Sequence, residues 1–413
     1  MSNFLSRLNI DMEKKTFSFL MVFMIIFLGI DIVSILLIQL SGFWIVFLYV
    51  IPLIITLIIA GVIIDKLAKR TWFLLLLIPE GLLTIVLGIS ITDPTSNTIL
   101  WIFIGILSGF TIAALLGYSA DVTKQDQRGK IAGLVCGLAW LVAAILLSWV
   151  SSTVFSANVL MILFGIIKLA GGGISFYLLI RKSESGGEAP TKYQPTGHGF
   201  LGYLKESYSF IWTDKKFRYY FIAFALIWVA QGIYAPIGGF GQVSYMNFQQ
   251  IASIGFAAGA LFLIMTGSMV DQHGRKQMII YGTILAILSF LSSYFSLGAV
   301  FLAGLPLLIT IILVFLSDIA PSDAKGRYYS IFLMVNFLGF LIGVIIGLAI
   351  GVGSPGVVLA CSIITAIALV LILLKGEESL ETSGFKVHEE ISSPPTTVRE
   401  EISPAPTTVS ENP

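Results

Sequence analysis

Apolar runs of about 20 residues recur along almost the whole chain, and no other feature narrows its fold so sharply. A helix of that length crosses roughly 30 Å of hydrocarbon. Inside a bilayer nothing external bonds the peptide groups, so a spanning segment must satisfy them internally. Only 11% of the 413 residues are charged and 57% are hydrophobic. A soluble domain carries about 25% charged residues, so this composition cannot coat a water-facing globule. The expectation is an all-α polytopic protein of the cell membrane.

The runs fall at about 17–40, 43–64, 72–91, 98–119, 131–151, 157–180, 217–238, 248–269, 277–295, 298–317, 328–350 and 355–375. That is twelve transmembrane helices. Short connections such as Ser41-Gly42 force antiparallel neighbours. Of 24 Lys and Arg, 23 lie in the termini, in the loops after even-numbered spans or at the span ends that border them, and the loops after odd-numbered spans carry none. Cytoplasmic loops are enriched in Lys and Arg, so both termini are expected in the cytoplasm. A miscounted span would scramble this alternation.

The organisation expected is a cytoplasmic N-terminus at 1–16, a six-helix bundle at 17–180 and a cytoplasmic linker at 181–216. A second six-helix bundle at 217–375 and a tail at 376–413 complete it. The linker is polar, with a short surface helix expected around Tyr203 to Trp212. The tail repeats itself, VHEEISSPPTTV at 387–398 being followed by VREEISPAPTTV at 398–409. Its Pro, Ser, Thr and Glu build no core, and disorder is expected. The first apolar run follows Lys14 and Lys15 and is too long for a signal peptide, so it should stay as a span. Cys136 and Cys361 have no neighbour at metal or redox spacing and read as small core residues.

The two halves repeat a charged-loop signature. GVIIDKLAKR at 61–70 follows span two, and GSMVDQHGRK at 267–276 follows span eight, an offset of 206 residues. ADVTKQDQRGK at 120–130 follows span four, and SDIAPSDAKGR at 317–327 follows span ten, an offset of 197. Parallel halves of this kind are one recognised transporter plan. Over about residues 17–375 the chain resembles the major facilitator superfamily, whose signature loop is Gly-x-x-x-Asp-Arg/Lys-x-Gly-Arg/Lys-Arg/Lys. The second copy fits apart from Gln272; the first has Ala68 where the family has glycine.

The resemblance implies two pseudo-symmetric six-helix bundles that rock about a central site in alternating access. It gives the signature loops a gating role, carried here by Gly61, Asp65, Lys66, Lys69, Arg70, Gly267, Asp271, Gly274, Arg275 and Lys276. The companion loops add Asp121, Arg128, Asp318 and Arg327. Asp65 would sit at the start of span eleven and Asp271 at the start of span five, where a helix N-terminus favours negative charge. Arg70 and Arg275 would meet Asp121 and Asp318. Alternatively, these charges only set topology and solvate loops. Span eleven carries Gly339, Gly343, Gly347 and Gly351 on one face. By the resemblance that face packs against span two across the halves.

Three ionisable residues fall well inside spans: Asp31, Glu80 and Lys168, all in the first half. An uncompensated charge there costs at least about 2.5–3.5 kcal/mol. The implied geometry brings spans three and six together, which pairs Glu80 with Lys168 and leaves Asp31 for the pathway. Asp31 is then either a permanently protonated acid bonded to a backbone carbonyl, or a carboxylate that takes up a proton or meets a cationic group. Further pathway candidates are Ser108, Thr111, Trp228, Gln231, Tyr234, Thr310 and Asn336, each with plain helix packing as its alternative.

Such a cavity is sparing in charge, which suits a neutral or amphipathic small molecule over a polyanion. A net charge of +1 argues against a nucleic-acid partner. His198, His273 and His388 all fall in segments expected in the cytoplasm, and no HExxH, GxSxG or P-loop pattern occurs, so neither an enzyme nor an ATP-driven pump is expected. No cofactor or metal is implied, and the working unit is expected to be a monomer in the lipid bilayer. The reading is a secondary transporter, first a proton-coupled symporter of a metabolite or sugar-like solute, then a multidrug or metabolite efflux antiporter. A non-transporting sensor is the rival of another class.

Overall fold

A chain that meets only hydrocarbon closes its backbone hydrogen bonds locally, and in the computed structural model every regular element among the described residues is a helix. The described residues are 10–31, 43–67, 70–90, 94–151, 156–184, 205, 208–240, 248–293, 298–321, 324–350 and 355–378. The tail repeat and most of the linker lie outside them, as do Lys69, Ala68 and Gly351.

The helices are α1 (Lys14–Met24), α2 (Phe43–Leu67), α3 (Leu77–Ser90), α4 (Pro94–Val122), α5 (Arg128–Ser151) and α6 (Ala157–Glu184) in the first half. The second half has α7 (Lys215–Phe240), α8 (Phe248–His273), α9 (Arg275–Ser293), α10 (Gly298–Ile319), α11 (Lys325–Ile350) and α12 (Pro355–Lys375). Among the described residues nine helices, counting the turns that lead into α3, are long and apolar enough to cross a membrane. The reading of α1, α9 and α10 as further spans stands as an expectation. Of the surface helix expected near Tyr203 to Trp212, the described residues include a helical turn at Phe210–Thr213, while Tyr203, Leu204, Glu206 and Ser207 lie outside them.

Among the described residues three helices depart from α geometry, one of them α5, which is entered through a 3-10 turn at Gln125–Gln127. α1 widens into a π-helix over Ile25–Asp31, and α3 is entered through Arg70–Phe73 and a tight 3-10 turn at Leu74–Leu76. Such irregular turns often accompany functional positions.

Packing repeats between halves. α1 lies on α5, α2 on α4 and α3 on α6; correspondingly α7 lies on α11, α8 on α10 and α9 on α12. Across the halves α5 meets α8 and α2 meets α11. Large apolar side chains such as Ile89, Met265, Leu348 and Leu374 are exposed on the outside, as hydrocarbon allows.

The glycine face of α11 is turned to α7, within its own half, rather than to α2. A Cβ on Gly339 would stand 3.0 Å from the Ala225 carbonyl oxygen, and one on Gly343 or Gly347 would run into the backbone of Val229 or Ile233. α7 offers its own Gly232 to the same contact, so two backbones approach where neither carries bulk. α2 meets α11 through Gly61, which packs on Gly326 and Ser330 in its first turns.

Candidate functional site

The first four N–H groups of a helix have no partner inside it and carry the positive end of its dipole. At the signature-loop end of the bundle, two aspartates meet this need across the halves. Asp65, in the last turn of α2, accepts the backbone N–H of Gly326 (2.9 Å) and Arg327 (2.8 Å) at the start of α11. Asp271, in the last turn of α8, accepts those of Gly129 (2.7 Å) and Lys130 (2.8 Å) at the start of α5. Glycine is required where the carboxylates land. A Cβ on Gly129 would stand 2.6 Å from Asp271 Oδ1, and one on Gly326 would stand 2.7 Å from Asp65 Oδ1. Gly61 and Gly267 allow the same closeness from the other side.

Cations lock the arrangement. Arg70 pairs with Asp121 and with Asp65 (3.2 Å), and Arg275 pairs with Asp318 (2.8 Å) and Asp271 (2.9 Å). Arg128 crosses the halves to Asp318 (2.6 Å), and Lys325 crosses to Asp121 (3.0 Å). Arg327 Nε approaches Asp65 at 3.4 Å. Arg275 also donates to the Gln125 carbonyl across the seam (2.9 Å). Gly274 turns the chain from α8 into α9 with φ +90°, a conformation that side chains resist. The backbone N–H of Arg275 and of Lys276 donate to Glu378, just beyond α12 (2.8 and 3.0 Å). Lys66 lies at the end of α2, its side chain outside the described part.

Deeper in the first half, Lys168 of α6 reaches Glu80 of α3 and Asp31 of α1, each at 2.6 Å. The expected division, with Glu80 paired and Asp31 free, is therefore corrected. An ammonium carries three donors and serves two carboxylates at once, so pairing by charge count was too strict. The contact with Glu80 is a hydrogen bond, whereas Asp31 Oδ1 holds its ion pair without a hydrogen-bond alignment. Ser108 and Thr111 of α4 donate to the two oxygens of Glu80, at 2.8 and 3.1 Å. Tyr49 of α2 is within hydrogen-bond reach of Ser108. All six side chains are buried. A small cavity opens beside Asp31, lined also by Thr111, by Ile26 of the π-helix and by Leu74 of the 3-10 turn.

The remaining pathway candidates do not join this cluster. Trp228 lies edge-on to Phe340, and Tyr234 lies edge-on to Phe290. Gln231, Thr310 and Asn336 are buried, and Asn336 Oδ1 finds no hydrogen-bond partner among the described residues.

A sequence model described as the Major Facilitator Superfamily matches residues 12–249 and again 238–407. The chain belongs to that superfamily. Two crystal structures of a bacterial homologue of the iron transporter ferroportin, both outward-facing and one with soaked iron, are similar in fold. Their identities to this superfamily member are 13% and 12%, each with a TM-score of 0.61, covering 87% of this chain and 98% of theirs. At that identity the likeness speaks for the fold alone. No curated protein matches the sequence.

This member of the superfamily is a multi-pass membrane transporter. Its two clusters do different chemistry: the loop-end charges join the halves, and the buried cluster holds two acids against one base within one half. Sequence reasoning missed Lys325, Gly129 and Gly326 as seam residues, although aligning the two companion loops would have set Lys325 opposite Arg128. Tyr49 and Glu378 gave no comparable signal; one is an aromatic in an apolar run, the other an acid after the last helix.

Proposed function

We propose that the protein is a proton-coupled symporter of a small neutral solute, a metabolite or sugar-like molecule, with Asp31, Lys168 and Glu80 as the coupling site. One observation carries this reading: two buried carboxyls share a single ammonium at 2.6 Å each. With all three ionised the cluster holds one uncompensated negative charge at mid-depth, which is costly. A single proton brings it to neutrality. Glu80 keeps Lys168, Ser108 and Thr111, so Asp31, with its weaker contact and the adjoining cavity, is where that proton goes.

Protonated Asp31 releases its hold on Lys168, which then stays with Glu80 alone. That loosens α1 from α6 and couples proton occupancy to the packing of a helix that the family resemblance places along the central cavity. A ligand shifts a two-state equilibrium only by its differential affinity for the two states, and the ion pair supplies that difference. The iron named for the structural neighbours is theirs and is not carried over.

The test is uptake into proteoliposomes, with and without an inward proton gradient, for wild type and Asp31→Asn. A solute for the assay comes from a thermal-shift screen, because a ligand that binds only the folded state raises its melting temperature. Asp31→Asn should retain solute exchange and lose gradient-driven accumulation. Undiminished accumulation in that variant would sink the proposal.

A further inference from the structure

The cavity beside Asp31 extends from the buried cluster in one direction. In α1, its walls Phe23, Ile26 and Phe27 precede Asp31; in α3 and the turn leading into it, Leu74 and Leu77 precede Glu80. In α4, which runs the other way, Ile112 and Leu115 follow Thr111. On all three helices the walls therefore reach from the cluster toward the signature-loop end. Every lining residue belongs to the first half. The space open to a water centre is about 10 Å³, room for about one water.

A water there has two polar partners. Asp31 and Thr111 are both buried and both line the space, and Asp31 Oδ1 receives no aligned hydrogen bond. Buried waters are held by about two to four such groups. The walls are fixed rather than slack: a Cβ on Gly171 of α6 would stand 2.4 Å from Ile26 Cδ1 and 3.3 Å from Leu77 Cδ1. Ile26 comes from the π-helix and Leu74 from the 3-10 turn, so the space opens where two helices leave regular geometry. On the opposite side the cluster ends on Tyr49, whose ring is edge-on to Trp101.

Beyond the cavity an aromatic pair stands in the way. Phe23 lines the space and meets Tyr118 of α4 edge-on, with centroids 6.1 Å apart. Both side chains are buried. Tyr118 in turn feels the carboxylates of Asp121 and Glu13, which lie at the signature-loop end. Two rings thus separate the room for one water from an acidic mouth.

We infer that Asp31 exchanges its proton with the signature-loop side through the first half alone: a water held by Asp31 and Thr111 is the relay, and Phe23 on Tyr118 is the plug. The inference rests on the coupling reading of Asp31. Protonated Asp31 gives its proton to the water oxygen, and the carboxylate left behind takes back Lys168. The hydronium so formed passes one proton to water beyond the parted rings and is a neutral water again. The family resemblance puts the solute between the halves, so proton and solute use different openings.

The test is a proton leak, read in lipid vesicles that hold the full chain, a pH-sensitive dye and a potassium ionophore. Phe23→Ala should raise the leak about tenfold over wild type, since the plug is the barrier to a charge at that depth. Adding Asp31→Asn should bring it back to the wild-type level. Tyr118→Ala breaks the pair from the other side and stands in if Phe23→Ala does not fold. Ile112→Phe fills the cavity with both rings in place; gradient-driven accumulation of solute should fall severalfold while solute exchange persists. Folded plug variants that stay tight, a leak that survives Asp31→Asn, or full accumulation in Ile112→Phe would overturn the path. The coupling reading fails separately, if Asp31→Asn alone keeps full accumulation.

Discussion

The first six helices bury two acids and a base among themselves, whereas no Asp, Glu, Lys, Arg or His occurs at 219–270, 277–317 or 328–374 in the second six. At the signature-loop end the halves are nearly interchangeable: Asp65 and Asp271 cap each other's partner helices, and Arg128 and Lys325 cross to opposite aspartates. The difference teaches what each part must do. A seam between two related bodies needs matching groups on both, so the charges recur. A coupling site needs to exist once, and a second buried cluster would add desolvation without a second task.

The largest expected effect is on the asymmetric part. Lys168→Met leaves two buried carboxyls without their cation and should cost about 3–5 kcal/mol, read as a steep fall in thermal stability in detergent. Adding Asp31→Asn and Glu80→Gln to it should recover most of that loss. If the triple variant is no better than the single, the three side chains do not act as one unit.

Within the symmetric part, exposure separates the partners. The Asp318 carboxylate is fully buried and holds both Arg128 and Arg275, while 39% of the Asp121 side chain is exposed. Asp318→Asn should cost about 3 kcal/mol, the loss expected for a broken buried pair. Asp121→Asn should cost below about 1 kcal/mol and lose its effect in high salt. Equal costs would restore full symmetry to the latch.

Asp65→Asn and Asp271→Asn remove equivalent caps, each with hydrogen bonds to a charged acceptor worth about 1.5–3 kcal/mol. Because the caps are equivalent, Asp65→Asn and Asp271→Asn should raise hydrogen exchange at 119–123 and 317–320 by similar factors. A clear difference between the two variants would break the equivalence of the seams. The smallest effect is at the exposed contact of Lys124 with Asp11. Lys124 holds the Asp11 carboxyl below its usual range, so the contact is intact at neutral pH and fades only in acid. Asp11→Asn should leave melting temperature and exchange unchanged at pH 7, and a measurable shift would tie the N-terminal segment to the latch.

The seam residues could be read from the chain because their information is local and repeated. A fixed spacing from Gly61 to Asp65, echoed from Gly267 to Asp271, announces a structure used twice. The buried cluster was legible only in part. Asp31, Glu80 and Lys168 stood out as charges in apolar runs, but which of them touch depends on how three helices are rotated about their axes. Ser108 and Thr111 were on the page only as polar residues among apolar ones; their bonds to Glu80 came from the packing of α4.

Hydropathy and the alternation of basic loops by themselves determined that the chain lives in a bilayer as two related sets of helices. Both are properties of short stretches, set by the cost of burying peptide groups and charges. The sharing of Lys168 between two acids, the turning of the α11 glycines to α7 and the wide and tight turns beside Asp31 were decided only by the tertiary structure. Each depends on where one helix face meets another. A helix presents every face to its surroundings, and only its neighbours select which of them is used.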